Sequence, residues 1–458
     1  MTNTATTVQE QIRPSLRSDF VWTFFGNAVY AAGQFATLVV LAKLLPTEMV
    51  GRYALGLAVV YPVMMFTNLQ LRAVMTSGRR EDISFGNYLG LRFLTTLLAF
   101  PAVFAITRIL KYDRALTAAV LMVGLAYSIE TISDIYWARL QLHDRMSAIS
   151  KSMMARAVLT VLLLGAATFV SRTLLLGILG IAVARLVVLF GYDIRPSVQG
   201  VKGREEGLVQ REALRPSFNF GLQRELLCLS FPLGIVILLV CLNSSIPNFF
   251  IEHSVGEKGV GIFAALGFVL SVGNMAVVSL GQSAFTRLSR AHVAGDTKAF
   301  SSLLAKLVAF GALVGAGGIL LSKLVGREIL IILFRPEYGE RADLLPWIMA
   351  AGGVLFMAQF IGFGMTAAGL YKSQVLLNAA ANLSLLASCY WLVPRQGLLG
   401  AALSMLIAAA VQLLGSVVVL AAAMRKRPAP IGSNAELPGA MNMRAFFSEG
   451  SSRLNVGD

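Results

Sequence analysis

Long apolar stretches, separated by short polar connections, fill the chain from Phe20 to Met424. Each stretch has about 20 residues or more, the length that an α-helix needs to cross a hydrocarbon core about 30 Å thick. The stretches are runs of Leu, Ala, Val and Gly, without the alternation of apolar and polar residues that marks the strands of a membrane β-barrel. The pattern therefore predicts an all-α integral membrane protein with about twelve transmembrane helices.

The predicted spans form two groups of six, separated by a polar stretch in the middle of the chain. This spacing predicts a cytoplasmic N-terminal segment (1–19), an N-lobe with helices 1–6 (20–192), a basic cytoplasmic linker (193–224), a C-lobe with helices 7–12 (225–424) and a disordered cytoplasmic tail (425–458). The first segment lacks the apolar core of a signal peptide, so we expect the first span to remain as an anchor. The expected spans are 20–44, 51–71, 88–109, 116–136, 150–170, 173–192, 225–251, 259–285, 301–324, 345–370, 374–393 and 398–424.

A short repeat relates the two groups of spans. Residues 50–54 (VGRYA) at the start of the second span recur as residues 260–264 (VGIFA) at the start of the eighth. At this offset of 210 residues, the first span corresponds in sequence to the seventh. Two repeats of six helices with the same orientation are a common plan among alternating-access transporters, so the sequence predicts two pseudo-symmetric lobes.

The orientation follows from the basic residues. Lys and Arg are concentrated in the connections that lie inside when both termini are cytoplasmic, above all in the linker 193–224. Because positive charge is retained on the cytoplasmic side of membranes, the sequence predicts that the N-terminus and the C-terminus both face the cytoplasm.

Composition removes several other classes of protein. Of 458 residues, 56% are hydrophobic and only 14% are charged, and the mean hydropathy is +0.71. The formal net charge of +15 does not indicate a nucleic-acid partner, because the basic residues are scattered among short connections. The three cysteines lie in predicted spans, and the three histidines have no ligand spacing. No phosphate loop or catalytic triad is present, so we expect no metal, no cofactor and no enzymatic activity.

Four basic residues lie inside predicted spans, where each costs about 2.5 to 3.5 kcal/mol on insertion scales. At 1.5 Å of rise per residue, all four fall in the cytoplasmic third of the membrane, near two acidic residues of the fourth span. We therefore predict a cationic vestibule that is open to the cytoplasm. Two alternatives are snorkelling of the long side chains to lipid phosphates and neutralisation of an arginine by the glutamate. The cations are Arg92, Arg156, Arg185 and Lys306, and the candidate charge partners or ion-coupling residues are Glu130 and Asp134.

Uncharged polar residues and prolines supply a second set of candidates. Guanidinium groups match phosphate oxygens and stay charged, so a pyrophosphate ester suits the vestibule better than a cationic drug does. Amides suit sugar hydroxyls, although helix packing uses the same chemistry. The seventh span carries two prolines, which bend helices, and is a candidate gating element. The gating or glycan-contact candidates are Pro232, Asn243, Pro247, Asn248, Asn27, Gln34, Asn274 and Gln359.

The sequence resembles the polysaccharide biosynthesis membrane proteins, which are Wzx-type oligosaccharide flippases of the multidrug/oligosaccharidyl-lipid/polysaccharide (MOP) exporter superfamily. Residues 41–54 (LAKLLPTEMVGRYA) and 68–72 (NLQLR) resemble the opening of these proteins. Residues 331–338 (IILFRPEY) and 362–367 (GFGMTA) resemble their second half. The resemblance extends from about Phe20 to Met424.

This resemblance implies two six-helix lobes in a V shape, as in multidrug and toxin extrusion (MATE) transporters, around a central cavity in the bacterial inner membrane. It implies that an undecaprenyl-pyrophosphate-linked oligosaccharide moves from the cytoplasmic to the periplasmic leaflet by alternating access, for O-antigen, capsule or exopolysaccharide synthesis. The implied partners are the lipid-linked oligosaccharide and bilayer lipids, with a polysaccharide polymerase and other assembly proteins as candidates. Twelve spans, rather than the fourteen of lipid II flippases, argue against a peptidoglycan precursor as substrate.

Two other functions remain as alternatives. A cation-coupled multidrug or toxin extrusion antiporter of the same superfamily would need carboxylates deep in the bundle, whereas Glu130 and Asp134 lie near one end among cations. A membrane scaffold for a polysaccharide synthase would not need two arginines at matched depth, such as Arg156 and Arg185.

Overall fold

The computed structural model describes residues 16–77, 83–199 and 215–425. Within these ranges, twelve helices are long and apolar enough to cross a membrane, and no β-strand occurs. The prediction of an all-α membrane protein is confirmed. The helices are α1 (Leu16–Leu44), α2 (Thr47–Asn68), α3 (Phe85–Ile109), α4 (Arg114–Leu142), α5 (Met146–Ser171), α6 (Leu174–Val188), α7 (Phe220–Val255), α8 (Glu257–Val293), α9 (Thr297–Leu333), α10 (Leu345–Ala367), α11 (Tyr371–Gln396) and α12 (Leu398–Arg425).

Several short helical segments join or extend these elements. A short helix, Leu71–Thr76, follows α2 after a break, and another, Pro336–Gly339, follows α9. Helix α6 continues through a π-helical turn, Leu189–Asp193, into a last helical segment, Ile194–Gln199. A 3-10 turn, Ala342–Leu344, leads into α10.

The chain divides into two compact units, Met1–Leu238 and Leu239–Asp458, with the division inside α7. In the N-terminal unit, α1 packs on α5, α2 packs on α4, and α6 packs on both α4 and α5. The lobe boundaries expected from the sequence remain a prediction. The segment 1–15, most of the linker and the tail after Arg425 lie outside the described residues.

In the C-terminal unit, α10 is the central helix and packs against α8, α9 and α12. Its core is a cluster of large apolar side chains that includes Phe300, Phe356 and Phe360. The repeat found in the sequence occupies equivalent places in the two units. Val50 is the fourth residue of α2, Val260 is the fourth residue of α8, and both are fully buried.

Helix α9 is longer than the sequence indicated. The sequence places the ninth span at residues 301–324, whereas α9 begins at Thr297 and ends at Leu333. Arg335 is extended, with φ −141° and ψ 163°, because the proline that follows it disfavours the helical conformation at the preceding residue.

A close helix contact in the C-terminal unit joins α9 and α10 at two glycines. A Cβ added to Gly315 would lie 2.4 Å from the Cα of Gly353, so the backbones touch directly. We expect Gly315→Val to force the helices apart and to destabilise the protein by about 1 to 3 kcal/mol. A fall in the melting temperature of the purified protein in detergent would show this. Gly317→Ala, on the same helix with open space around the added methyl group, should leave the melting temperature unchanged or raise it slightly.

Candidate functional site

Arg156 of α5 lies inside the N-terminal unit, where its side chain is 1% exposed. Its Nη2 donates to Oδ2 of Asp193 at 2.8 Å, and its guanidinium carbon lies 4.6 Å from the ring centroid of Trp137. The indole Nε1 of Trp137 also donates to Asp193, at 3.0 Å from Oδ1, and the Ser152 hydroxyl bonds the same oxygen. Arg156 is therefore part of a buried cluster that joins α4, α5 and the π-turn after α6.

Arg185 of α6 occupies a second buried cluster in the same unit. Its Nη2 lies 2.8 Å from Oε2 of Glu130, and its guanidinium carbon lies 4.6 Å from the ring centroid of Tyr127. The Tyr30 hydroxyl donates to Oε1 of Glu130 and accepts a hydrogen bond from Nε2 of Gln34 at 3.0 Å. This cluster joins α1, α4 and α6.

A small cavity separates the two arginines. Both of them retain Nε and Nη1 without a hydrogen-bond partner. The free space in the cavity is about the volume that one water molecule needs, so a diphosphate does not fit in this conformation. Helices α1, α5 and α6 must separate before the free donors can meet such a ligand. The cavity is lined by Tyr30, Gly33, Gln34, Thr37, Arg156, Ala157, Thr160 and Arg185.

The charges around this cavity are balanced. Arg156 is paired with Asp193, and Arg185 is paired with Glu130, so two cations face two anions. The vestibule expected from the sequence carried excess positive charge, whereas the structure pairs each arginine with a carboxylate. Low dielectric explains the difference, because a buried guanidinium without a counter-charge is very costly. What the cavity offers to an anion is therefore a set of free N–H donors.

Arg92 does not line this cavity. Its side chain is 0% exposed, its Nη1 donates to the Asn68 carbonyl at 2.9 Å, and its Nη2 lies 3.5 Å from Asp134. Asp134 also pairs with Arg72 at 3.3 Å. Arg92 and Asp134 thus form a separate cluster at the end of α2, away from the residues that line the cavity.

The Arg92 cluster holds a strained break in the chain. Leu69 and Gln70, between α2 and the short helix that follows, have φ values of 53° and 51°. Two consecutive residues in the left-handed region are costly for side chains other than glycine. The bond from Arg92 to the last residue of α2 satisfies a carbonyl that the helix itself leaves free.

Lys306 belongs to α9 in the C-terminal unit, and its side chain is exposed. Among the described residues, the fully buried charged side chains all belong to the N-terminal unit. Snorkelling is excluded for Arg92, Arg156 and Arg185, because their side chains are covered by protein. The alternative in which Glu130 neutralises an arginine describes Arg185 correctly.

The uncharged candidates have mixed placements. Gln34 is the member of this set that lines the cavity. Asn27 is exposed and bonds the Thr23 carbonyl of its own helix, while Asn274 accepts from Nε2 of Gln359 at 2.9 Å, which joins α8 to α10. Helix α7 continues through both of its prolines; Pro247 is buried, whereas Pro232, Asn243 and Asn248 are half-buried.

Sequence reasoning missed the partners of Arg156. Asp193 was assigned to the linker, because it follows the last apolar residues of the sixth span. The structure buries it completely, since the π-turn carries the helix past the expected end of the span. Trp137 and Tyr30 gave no distinct signal, because single aromatic residues are common in membrane helices.

Comparison with solved structures shows which proteins share this fold. Lipid II flippase MurJ, in an inward closed conformation, superposes with a TM-score of 0.69 at 12% identity, over 88% of this chain and 87% of MurJ. An inward-facing MATE family multidrug resistance transporter of the MOP superfamily gives 0.63 at 13% identity, over 89% and 96%. The chain therefore has the fold of the MOP-superfamily transporters. This confirms the fold that the sequence resemblance implied.

A sequence relative is more specific. The chain is 25% identical to the capsular polysaccharide biosynthesis protein CapF of Staphylococcus aureus over 410 residues, which cover 86% of this chain and 97% of the relative. The resemblance to polysaccharide biosynthesis membrane proteins is thus confirmed. No protein-family model matches the chain.

Proposed function

We propose that this protein is a flippase that moves a polyprenyl-diphosphate-linked oligosaccharide from the cytoplasmic to the periplasmic leaflet of the bacterial inner membrane. It does so by alternating access and supplies polysaccharide synthesis. The main support is the similarity to a capsular polysaccharide biosynthesis protein over nearly the whole length of both chains. The fold, which is also that of a lipid II flippase, is consistent with a lipid-linked substrate.

The chemistry of the cavity supports a diphosphate as the recognised group. Arg156 and Arg185 each present Nε and Nη1 without a partner, and guanidinium N–H groups form strong, charge-assisted hydrogen bonds to phosphate oxygens. Gln34, Thr37 and Thr160 line the same cavity and add uncharged polar groups beside the arginines. We expect the cavity to open in the inward-facing state, so that the diphosphate lies between α5 and α6.

An antiporter for cationic drugs is the other function that this fold accommodates, because MATE transporters share it. Such a protein needs a carboxylate that is available to a proton, a metal ion or an organic cation. In the described part of the N-terminal unit, the three acidic residues that are buried or half-buried, Glu130, Asp134 and Asp193, are each paired with arginine. This pairing favours an anionic substrate over a cationic one.

Deletion of the protein separates the two functions. A cell without the flippase should accumulate polyprenyl-diphosphate oligosaccharide, measured by mass spectrometry of extracted lipids, and should lose surface polysaccharide. Expression of the wild-type chain should reverse both changes. Unchanged polyprenyl lipids together with raised sensitivity to cationic drugs would contradict the proposal and favour the antiporter.

A further inference from the structure

Both carboxylate oxygens of Asp193 accept hydrogen bonds from donors within the protein. Oδ2 accepts from Arg156 at 2.8 Å, and Oδ1 accepts from Trp137 at 3.0 Å and from the Ser152 hydroxyl. The carboxylate is fully buried, so these three donors replace the water that it would otherwise bind. Asp193 is therefore a fixed anion rather than a group that can leave when a ligand arrives.

The π-turn puts Asp193 on the face of α6 that carries Arg185. In a regular helix, two residues eight positions apart point about 80° away from each other, at 100° per residue. A π-turn accommodates one extra residue, so Asp193 takes the direction of the seventh position, within about 20° of Arg185. Both side chains consequently face α4, about two helical turns apart along α6.

The two arginines are held differently. The Arg156–Asp193 pair is a well-formed hydrogen bond, supported by the donors on the other carboxylate oxygen. The Arg185–Glu130 pair is equally close at 2.8 Å, but Oε2 of Glu130 makes no hydrogen bond. Arg156 is thus paired with a carboxylate whose other oxygen is held by Trp137 and Ser152.

We infer that Asp193, braced by Ser152 and Trp137, is the positioning residue that fixes Arg156 with its free N–H groups available for the substrate's diphosphate. This inference rests on the proposed function. Asp193 binds Nη2 of the guanidinium, while Nε and Nη1 have no hydrogen-bond partner and remain for a ligand. Arg156 and Arg185 line the same cavity, so a diphosphate, with two phosphoryl groups, offers oxygens to both arginines, whereas a monophosphate offers only one phosphoryl group.

The test removes hydrogen-bond donors to Asp193 without changing the charge of any side chain. Ser152→Ala and Trp137→Phe each remove one donor to Asp193, whereas Ser150→Ala is the matched control. Ser150 is also a buried serine of α5, and its hydroxyl bonds only the Met146 carbonyl of its own helix. The full chain, purified in detergent, is titrated with farnesyl diphosphate and with farnesyl monophosphate, and affinity is expressed per folded protein.

We expect wild type and Ser150→Ala to prefer the diphosphate, and we expect Ser152→Ala and Trp137→Phe to lose about tenfold of that preference. A purely structural role of Asp193 would lower the yield of folded protein but leave the preference of the folded fraction unchanged. That result would overturn the positioning role while the proposed function stands. If the wild-type chain binds neither probe, the proposed function and this inference both fail.

Discussion

Replacing Arg156 or Arg185 with alanine is expected to reduce polysaccharide export about 100-fold or more, because each change removes free donors from the cavity. Export is measured as surface polysaccharide in a deletion strain that expresses the variant. Accumulation of the polyprenyl-diphosphate oligosaccharide in the same cells shows that the block lies at translocation. Arg108→Ala is the matched control, since Arg108 is an exposed arginine of the same unit.

The alanine variants also leave a buried carboxylate without its partner, which destabilises a protein by about 3 to 5 kcal/mol. A second variant separates this effect from the loss of function. Arg185→Met combined with Glu130→Gln removes both charges of the pair, so we expect the double variant to be more stable than Arg185→Ala and still unable to export. Normal export by both Arg156→Ala and Arg185→Ala would show that neither arginine binds the substrate.

Arg92→Ala is expected to destabilise the protein by about 3 kcal/mol or more. The change empties a fully buried position, removes a donor from the Asn68 carbonyl and takes one of two cations from Asp134. It also releases the strained residues Leu69 and Gln70. A lower melting temperature in detergent, together with faster proteolysis, measures the effect.

Arg108→Ala serves as the control for this prediction as well, because Arg108 lies on the same helix as Arg92 but is exposed. Arg92→Lys keeps the charge but loses the forked geometry, and we expect an intermediate melting temperature. An unchanged melting temperature for Arg92→Ala would mean that the cluster does not hold the end of α2. Substrate affinity per folded protein should change little, since Arg92 does not line the cavity.

The repeat and the arginines show what local sequence patterns can predict about the structure. Val50 and Val260 hold equivalent places in α2 and α8, because a repeated motif at the start of a span marks the start of a helix. The sequence also identified Arg156 and Arg185 as unusual, since a buried cation in a membrane span needs an explanation. Depth estimated from helical rise placed them at one level, and both line the same cavity.

Helical rise could not assign partners, because it gives depth but not direction. Arg92 shares that depth with Arg156, yet it faces the end of α2 and pairs with Asp134. Lys306 belongs to the other unit, and its side chain is exposed. Asp193 was assigned to a linker, because a π-turn cannot be recognised from a list of apolar residues.

The sequence by itself determined the all-helical membrane architecture, since crossing a bilayer requires long apolar segments whose backbones are satisfied internally. It also determined which side chains are expensive to bury. Only the tertiary structure decided that Arg156 meets Asp193 and that Arg185 meets Glu130, so that the cavity between them is neutral overall. Pairing depends on helix rotation and on one extra residue in a turn, and these are properties of packed helices rather than of hydropathy.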